Sequence, residues 1–363
     1  MASLTCAAPP AAPFVAAAKR SAAAAAPAAW QRQRPQQRQR QQQSGLSVIA
    51  RAELEEIDPL TGEVIAGTAL ASEAGERVTT ADGVTWAYRR VEPNPELHNP
   101  TQLPVLCLHG IGSCSYIYRN TMRLLGEAGH ECIAVDWLGH GASDKPTSGF
   151  DYSADSFVAA LEKFVAAIGW DKRPFVLMVH GYILGQFGLL YALENADNVA
   201  KLVILNTPLG LKTPLRPELA AYKNPVPFLR PKAGATFAAD LFNAAGGPYA
   251  MQYRDAQAFQ APYDADPAAS VAVAAIMDKV DFPQLLRRVD QGFESWRRPS
   301  LLLFGTSDQF IDLKTVFDWL DSKRTCMKLA TGYEAKLGHA PQEDYPDAIH
   351  KPILKFVEED QDD

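Results

Sequence analysis

Apolar positions from Val78 onward fall into short continuous runs separated by stretches of helical period. Residues 78–91, folded about a turn at Ala81-Asp82-Gly83, predict an opening hairpin. Residues 103–109, 131–136, 175–180, 199–205, 300–304 and 326–329 are apolar runs of strand length and predict buried strands. Residues 116–128, 153–168, 184–195 and 347–359 predict helices. In the second of these, Phe157, Ala160, Leu161, Phe164, Val165 and Ile168 recur at helical spacing behind the N-cap candidate Ser153. Strands alternating with helices imply an α/β fold with a mostly parallel central sheet and helices on both faces.

That alternation breaks between 209 and 297, where prolines, alanines and the tyrosines Tyr222, Tyr249, Tyr253 and Tyr263 accompany several short helical patches. A structureless loop of that length is improbable in a compact domain, so the stretch reads as a helical cap insertion over a site. The chain thus divides into a leader at 1–50, a polar extension at 51–77, a core at 78–208, the cap at 209–297 and the rest of the core at 298–363.

Charge sets the leader apart. Seven of the 35 basic residues and none of the 42 acidic ones precede Glu53, which leaves 28 basic against 42 acidic, a formal −14, for the remainder. So acidic a body argues against nucleic-acid binding, which depends on neutralising phosphates. The leader is rich in Ala, Ser, Pro, Gln and Arg, cannot build a core, and is expected to be removed. Met1-Ala2-Ser3 followed by small residues resembles a chloroplast transit peptide, and Val48-Ile49-Ala50-Arg51-Ala52 resembles a plastid processing site. Stroma, or the stromal side of a membrane, is the expected location, with the mitochondrion as the alternative. No apolar run reaches transmembrane length. The five cysteines form neither a disulfide framework nor a zinc motif, and no cofactor or metal is expected.

Candidate chemistry begins at Leu106-Cys107-Leu108-His109-Gly110-Ile111-Gly112, an apolar strand entering a glycine turn. There a backbone N–H, that of Ile111, could point at a developing oxyanion beside Gly110. Downstream follow Ser115-Tyr116-Ile117-Tyr118-Arg119-Asn120, then Asp136-Trp137-Leu138-Gly139-His140-Gly141-Ala142-Ser143-Asp144-Lys145-Pro146, then Leu205-Asn206-Thr207-Pro208-Leu209. In order and spacing these segments resemble the α/β-hydrolase superfamily, most closely its haloalkane-dehalogenase and epoxide-hydrolase branch with the plastid members of that group. The resemblance runs from Val78 to the C-terminus and is weakest in the cap. It implies that Asp308, in Phe304-Gly305-Thr306-Ser307-Asp308, orients His339, in Leu337-Gly338-His339-Ala340-Pro341-Gln342-Glu343, as an acid–base dyad. It also puts Trp137 and Asn206 at the pocket.

One element of that pattern is missing. Met178-Val179-His180-Gly181-Tyr182-Ile183-Leu184-Gly185-Gln186-Phe187-Gly188 stands where the nucleophile elbow belongs and holds no Ser, Cys, Thr, Asp or Glu. Matching glycines to Gly181 and Gly185 puts Ile183 at the nucleophile position. Aligning the helix puts Tyr182 there, and aligning the strand puts Gly181 there. A β-branched apex at positive φ costs on the order of 1–3 kcal/mol, so the turn is expected to relax toward Gly181, with Tyr182 and Ile183 over the pocket floor. Three functions follow, in this order. The first is non-hydrolytic binding of an apolar small molecule or a protein partner. The second is general-base chemistry by Asp308 and His339 without a covalent step. The third is an esterase, dehalogenase or epoxide hydrolase whose nucleophile is Ser113, Cys114 or Ser115.

Overall fold

The computed structural model describes residues 56–57, 64–65, 75–231, 253–323, 326–331 and 337–359. The expected leader at 1–50, the expected processing site at 48–52 and Tyr249 lie outside the described residues. Two units are present, Met1–Ala66 and Gly67–Asp363. In the first, β1 (Glu56–Ile57) pairs antiparallel with β2 (Val64–Ile65).

The second unit is built on an eight-stranded sheet in the order β10-β9-β8-β7-β5-β6-β4-β3. Its strands are β3 (Glu76–Thr79), β4 (Thr85–Val91), β5 (Val105–Leu108), β6 (Cys132–Val135), β7 (Phe175–His180), β8 (Val199–Leu205), β9 (Ser300–Phe304) and β10 (Met327–Thr331). Only β4 runs against its neighbours; every other pairing, from β6 across to β10, is parallel. The expected hairpin turn is tied by Thr80, whose N–H donates to the Val84 carbonyl at 2.9 Å, with Gly83 at φ 83°.

The central runs are continuous in sequence because both faces of the sheet are covered. Alternate residues feed two cores. Leu106, Leu108, Leu177, Val179, Leu202 and Ile204 pack with α2 (Ala154–Ala167), α3 (Leu184–Glu194) and α7 (Phe282–Gly292). Val105, Cys107, Val176, Met178, Val203 and Leu205 pack with α1 (Arg119–Glu127) and α10 (Pro346–Glu358). The side chain of Ser153 caps α2 by accepting from the Ser156 N–H at 3.3 Å. Lys201, buried near the start of β8, gives its ammonium to the carbonyls of Phe356, Val357 and Glu359 and so closes the C-terminus of α10.

Between β8 and β9 lie α4 (Pro217–Ala220), α5 (Tyr253–Ala265), α6 (Pro267–Lys279) and α7. They pack onto the loops that leave the carboxyl ends of β5, β6 and β7. Phe259 meets Tyr116 edge-on at 5.6 Å, Tyr263 meets His140 at 6.5 Å, and Phe282 stacks on Tyr182 at 5.8 Å. Among the described residues no helix is long and apolar enough to cross a membrane. Three helical elements differ from expectation. The helix expected from 116 opens as a 3-10 turn, Ser115–Tyr118, because the Asp136 carboxylate draws the Ser115 N–H to 2.6 Å. Two further helices, α8 (Leu313–Asp321), capped by Asp312, and the one-turn α9 (Pro341–Asp344), were not expected at all.

Candidate functional site

The turn from β7 into α3 carries two residues in the left-handed half of conformational space. Gly181 takes φ 80°, as expected, but Ile183 takes φ 63° and ψ −70°. The expected relaxation onto Gly181 is therefore not what the backbone does, and Ile183 is the apex. Close packing explains it. A Cβ on Gly110 would stand 3.0 Å from the Gly181 Cα, and a Cβ on Gly185 would stand 2.9 Å from the His180 carbonyl oxygen. With three glycines pressing backbone on backbone, the turn has no room to slide, and strain of about 1–3 kcal/mol falls on Ile183. Full burial of that side chain, worth about 1.5–3 kcal/mol, offsets it.

The φ and ψ of Ile183 are those of the strained form of a γ-turn, in which the residue after the apex bonds back across it. Indeed the Leu184 N–H donates to the Tyr182 carbonyl at 2.8 Å. The same carbonyl accepts the Ile111 N–H at 3.0 Å. In an acyl-transfer site of this geometry, the N–H after the nucleophile and the N–H of the first loop are the two oxyanion donors. Here both are taken up by the protein's own backbone.

Tyr182 does not supply a nucleophile in place of Ile183. Its phenol donates to the carbonyls of Phe310 at 3.0 Å and Pro214 at 3.3 Å, and burial pushes it well above its usual range. Cys114 is buried, and desolvation together with the Asp136 carboxylate pushes its thiol up to about 12. The Ser113 hydroxyl is buried with no hydrogen-bond partner among the described residues, and Ser115 is buried too.

Asp308 and His339 do meet. Nδ1 of His339 lies 2.9 Å from Oδ2 of Asp308. The same oxygen accepts the Asn206 amide at 2.7 Å, and Oδ1 accepts the N–H groups of Phe310 at 2.7 Å and Ile311 at 3.2 Å. Burial works to raise the Asp308 carboxyl, but His339, Asn206 and the Phe310 N–H together hold it below the ordinary range. Asn206, at φ 35°, also accepts the Gly305 N–H at 3.1 Å, so it braces the turn that carries Asp308. His180 braces the other partner, donating from Nε2 to the His339 carbonyl at 2.8 Å. Burial drives its imidazole down to about 3, so it stays neutral.

The remaining nitrogen of His339 lies 4.0 Å from the point where a Gly181 Cβ would stand, and has no hydrogen-bond partner among the described residues. Rings of Tyr182 at 5.7 Å, Phe310 at 5.3 Å and His180 at 5.3 Å surround the imidazole. Trp137 is fully buried, edge-on to Phe157 at 5.7 Å. Its indole N–H donates to the His109 carbonyl at 3.0 Å, and its backbone N–H donates to Nε2 of His109 at 3.1 Å. Among the described residues no group of three His, Cys, Asp or Glu side chains is placed to hold a metal ion.

Sequence reasoning did not single out the ion cluster flanking the His339 loop. Arg119 of α1 pairs with Glu343 and, at 3.2 Å, with Asp255 of α5. Its guanidinium lies 4.1 Å above the ring of Tyr116, whose hydroxyl donates to Asp255 at 2.8 Å. Burial raises the Glu343 carboxyl to about 7 despite Arg119. The residues are scattered along the chain, so no local motif announces them.

Comparison with known proteins agrees with this architecture. Residues 104–332 match the family described as alpha/beta hydrolase fold. The cis-3-alkyl-4-alkyloxetan-2-one decarboxylase of Shewanella oneidensis is 38% identical over 105 residues, 29% of this chain and only 32% of that enzyme. Haloalkane dehalogenase 2 of Mycobacterium tuberculosis is 28% identical over 258 residues, 69% of this chain and 87% of that protein. Among solved structures, haloalkane dehalogenase DbeA from Bradyrhizobium elkani superposes with a TM-score of 0.61 at 19% identity, covering 78% of this chain and 96% of that one.

Proposed function

The chain belongs to the alpha/beta hydrolase fold family, and from that premise we propose that it is a plastid member that holds an apolar small molecule without forming a covalent bond to it. The observation that carries this reading is the elbow. Its apex is Ile183, and the Ile111 and Leu184 N–H groups both end on the Tyr182 carbonyl. Ester, haloalkane and epoxide cleavage on this fold proceeds through a covalent intermediate at that apex. Losing the nucleophile removes a rate factor that base and oxyanion groups restore only in small part. Buried Ile183, Tyr182 and Phe282 fill that place with apolar side chains instead, and Phe310 stands edge-on to His339. The plastid location rests on the composition of residues 1–52.

A second reading has the Asp308–His339 pair acting as a general base on a bound molecule or water. What favours it is the 2.9 Å contact and the unpartnered Nε2. Turnover of aryl esters, haloalkanes and epoxides, measured beside a His339→Ala control and with fluorophosphonate labelling, separates the possibilities. Neither labelling nor turnover above the control is expected. Labelling at Ser113, Cys114 or Ser115 would defeat the proposal, and turnover lost with His339 alone would favour the second reading. Import into isolated chloroplasts tests the location, and an unprocessed N-terminus in the stroma would count against it.

A further inference from the structure

A cavity of about 620 Å³ opens at the amino ends of the parallel strands, the opposite end of the sheet from the elbow. Among its lining residues Pro174 immediately precedes β7, Leu103, His130 and Arg298 stand two residues before β5, β6 and β9, and Lys201 lies near the start of β8. Strand β7 connects the two regions, and its six residues span roughly 20 Å. Ligands of open α/β sheets bind at the carboxyl ends, so this cavity is not part of the site above.

His130 is the informative wall residue. It is 1% exposed, and its Nδ1 lies 3.1 Å from the Leu103 carbonyl, which fixes Nδ1 as the donor. Burial lowers the imidazole, so the ring stays neutral and Nε2 keeps a lone pair. That buried atom has no hydrogen-bond partner among the described residues; Oε1 of Glu358, 3.9 Å away, is too distant. An unsatisfied buried acceptor costs about 1–3 kcal/mol, which a donor arriving in the cavity would recover.

The rest of the wall narrows the kind of donor. The ammonium of Lys201 is spent on three carbonyls. Arg298 gives Nε to the Ala196 carbonyl and Nη2 to Asp197, and Glu359 is paired with Lys328. Charge is thus largely matched before any ligand enters. What stays available is a mixture, with the His130 nitrogen and the Glu358 carboxylate as acceptors and the other Arg298 amino group as a donor. A hydroxyl both donates and accepts, so a set of hydroxyls fits that mixture, whereas a single formal charge does not. We propose that this cavity is a second binding site, for a neutral polyhydroxylated molecule of mono- or disaccharide size, anchored on Nε2 of His130.

The test is calorimetric titration of the full chain with glucose and sucrose, alongside putrescine and succinate as cationic and anionic probes. Sugar binding with a dissociation constant on the order of 1 mM is expected, weakened at least about tenfold by Glu358→Ala, Arg298→Ala or His130→Gln. Because His130 is buried and its variant could unfold, the ¹⁵N shift of its Nε2 in the unmodified protein is followed as well, and should move on sugar addition. Binding of putrescine or succinate without sugar would overturn the proposal. So would no binding by any probe, sugar binding unchanged in all three variants, or a His130 resonance indifferent to sugar.

Discussion

At Ile183, glycine should be tolerated better than alanine. Both substitutions discard the side chain beyond Cβ from a site that is 0% exposed, a shared cost of about 2–5 kcal/mol. They differ in what Cβ does. In an ordinary helical conformation glycine trails alanine by about 1 kcal/mol, because its unfolded chain is freer. At φ 63° and ψ −70° alanine keeps a strain of about 1–3 kcal/mol that glycine lacks. The balance puts Ile183→Gly ahead of Ile183→Ala by up to about 2 kcal/mol. Leu189, also 0% exposed and within α3, serves as the internal control, where alanine should lead by about 1 kcal/mol. Urea unfolding of the four variants, with midpoints compared at a common slope, measures both differences. If alanine leads glycine at 183 by the margin seen at 189, Ile183 does not occupy the left-handed apex and the elbow described above is wrong.

Other outcomes concern protons and thiols. Asp308 has a depressed carboxyl, so its contribution is present above the unfolded value near 3.8 and is lost as pH falls through the folded one. Asp308→Asn should therefore be less stable at pH near 7 yet lose less on acidification, and parallel stability profiles would contradict this. Glu343 is raised from 4.5 to about 7, so its contribution is fully present below 4.5 and declines as pH rises through 7. Glu343→Gln should lack that decline, which urea midpoints across the window would reveal. Cys114, its thiol pushed up to about 12, should resist iodoacetamide in the native protein and react once urea is added. Rapid native alkylation located by peptide mapping would show that the loop is open.

Much of the framework was legible because burial on both faces leaves a plain mark. The apolar runs of β7, β8 and β9 coincide with the expected strands to the residue. Helix α8 was equally written, with Asp312 as cap and Val316 and Trp319 facing inward, but it lies among acidic residues that obscure the period. Asp308 and His339 were identifiable by their place at element ends, and the structure brings them to 2.9 Å. Less accessible was the elbow. Intrinsic preference argued against Ile183 as apex, and tertiary packing at Gly110, Gly181 and Gly185 overrode it. The acceptor at its centre is a main-chain oxygen, common to every residue type, so no side-chain pattern could disclose it. Asn206 and His180, which brace the dyad, fell inside strand-end motifs whose residues could not be assigned partners without the fold.

The double use of the Tyr182 carbonyl reverses the polarity of the floor. A hydrolytic elbow presents donors to its ligand and so welcomes a carbonyl oxygen. Here one lone pair of that carbonyl faces Ile111 and the other faces Leu184, so neither N–H has a hydrogen left to offer. When the His339 ring is neutral, with its Nδ1 hydrogen directed to Asp308, Nε2 presents only a lone pair. An ester or lactone oxygen arriving at this floor would meet acceptor against acceptor, and its desolvation would go uncompensated. An alcohol or phenol of the same shape would find its one partner waiting. Selectivity between such a pair is set by the unmet hydrogen bond more than by fit, since a buried polar group left alone discriminates far more strongly than a missing methylene.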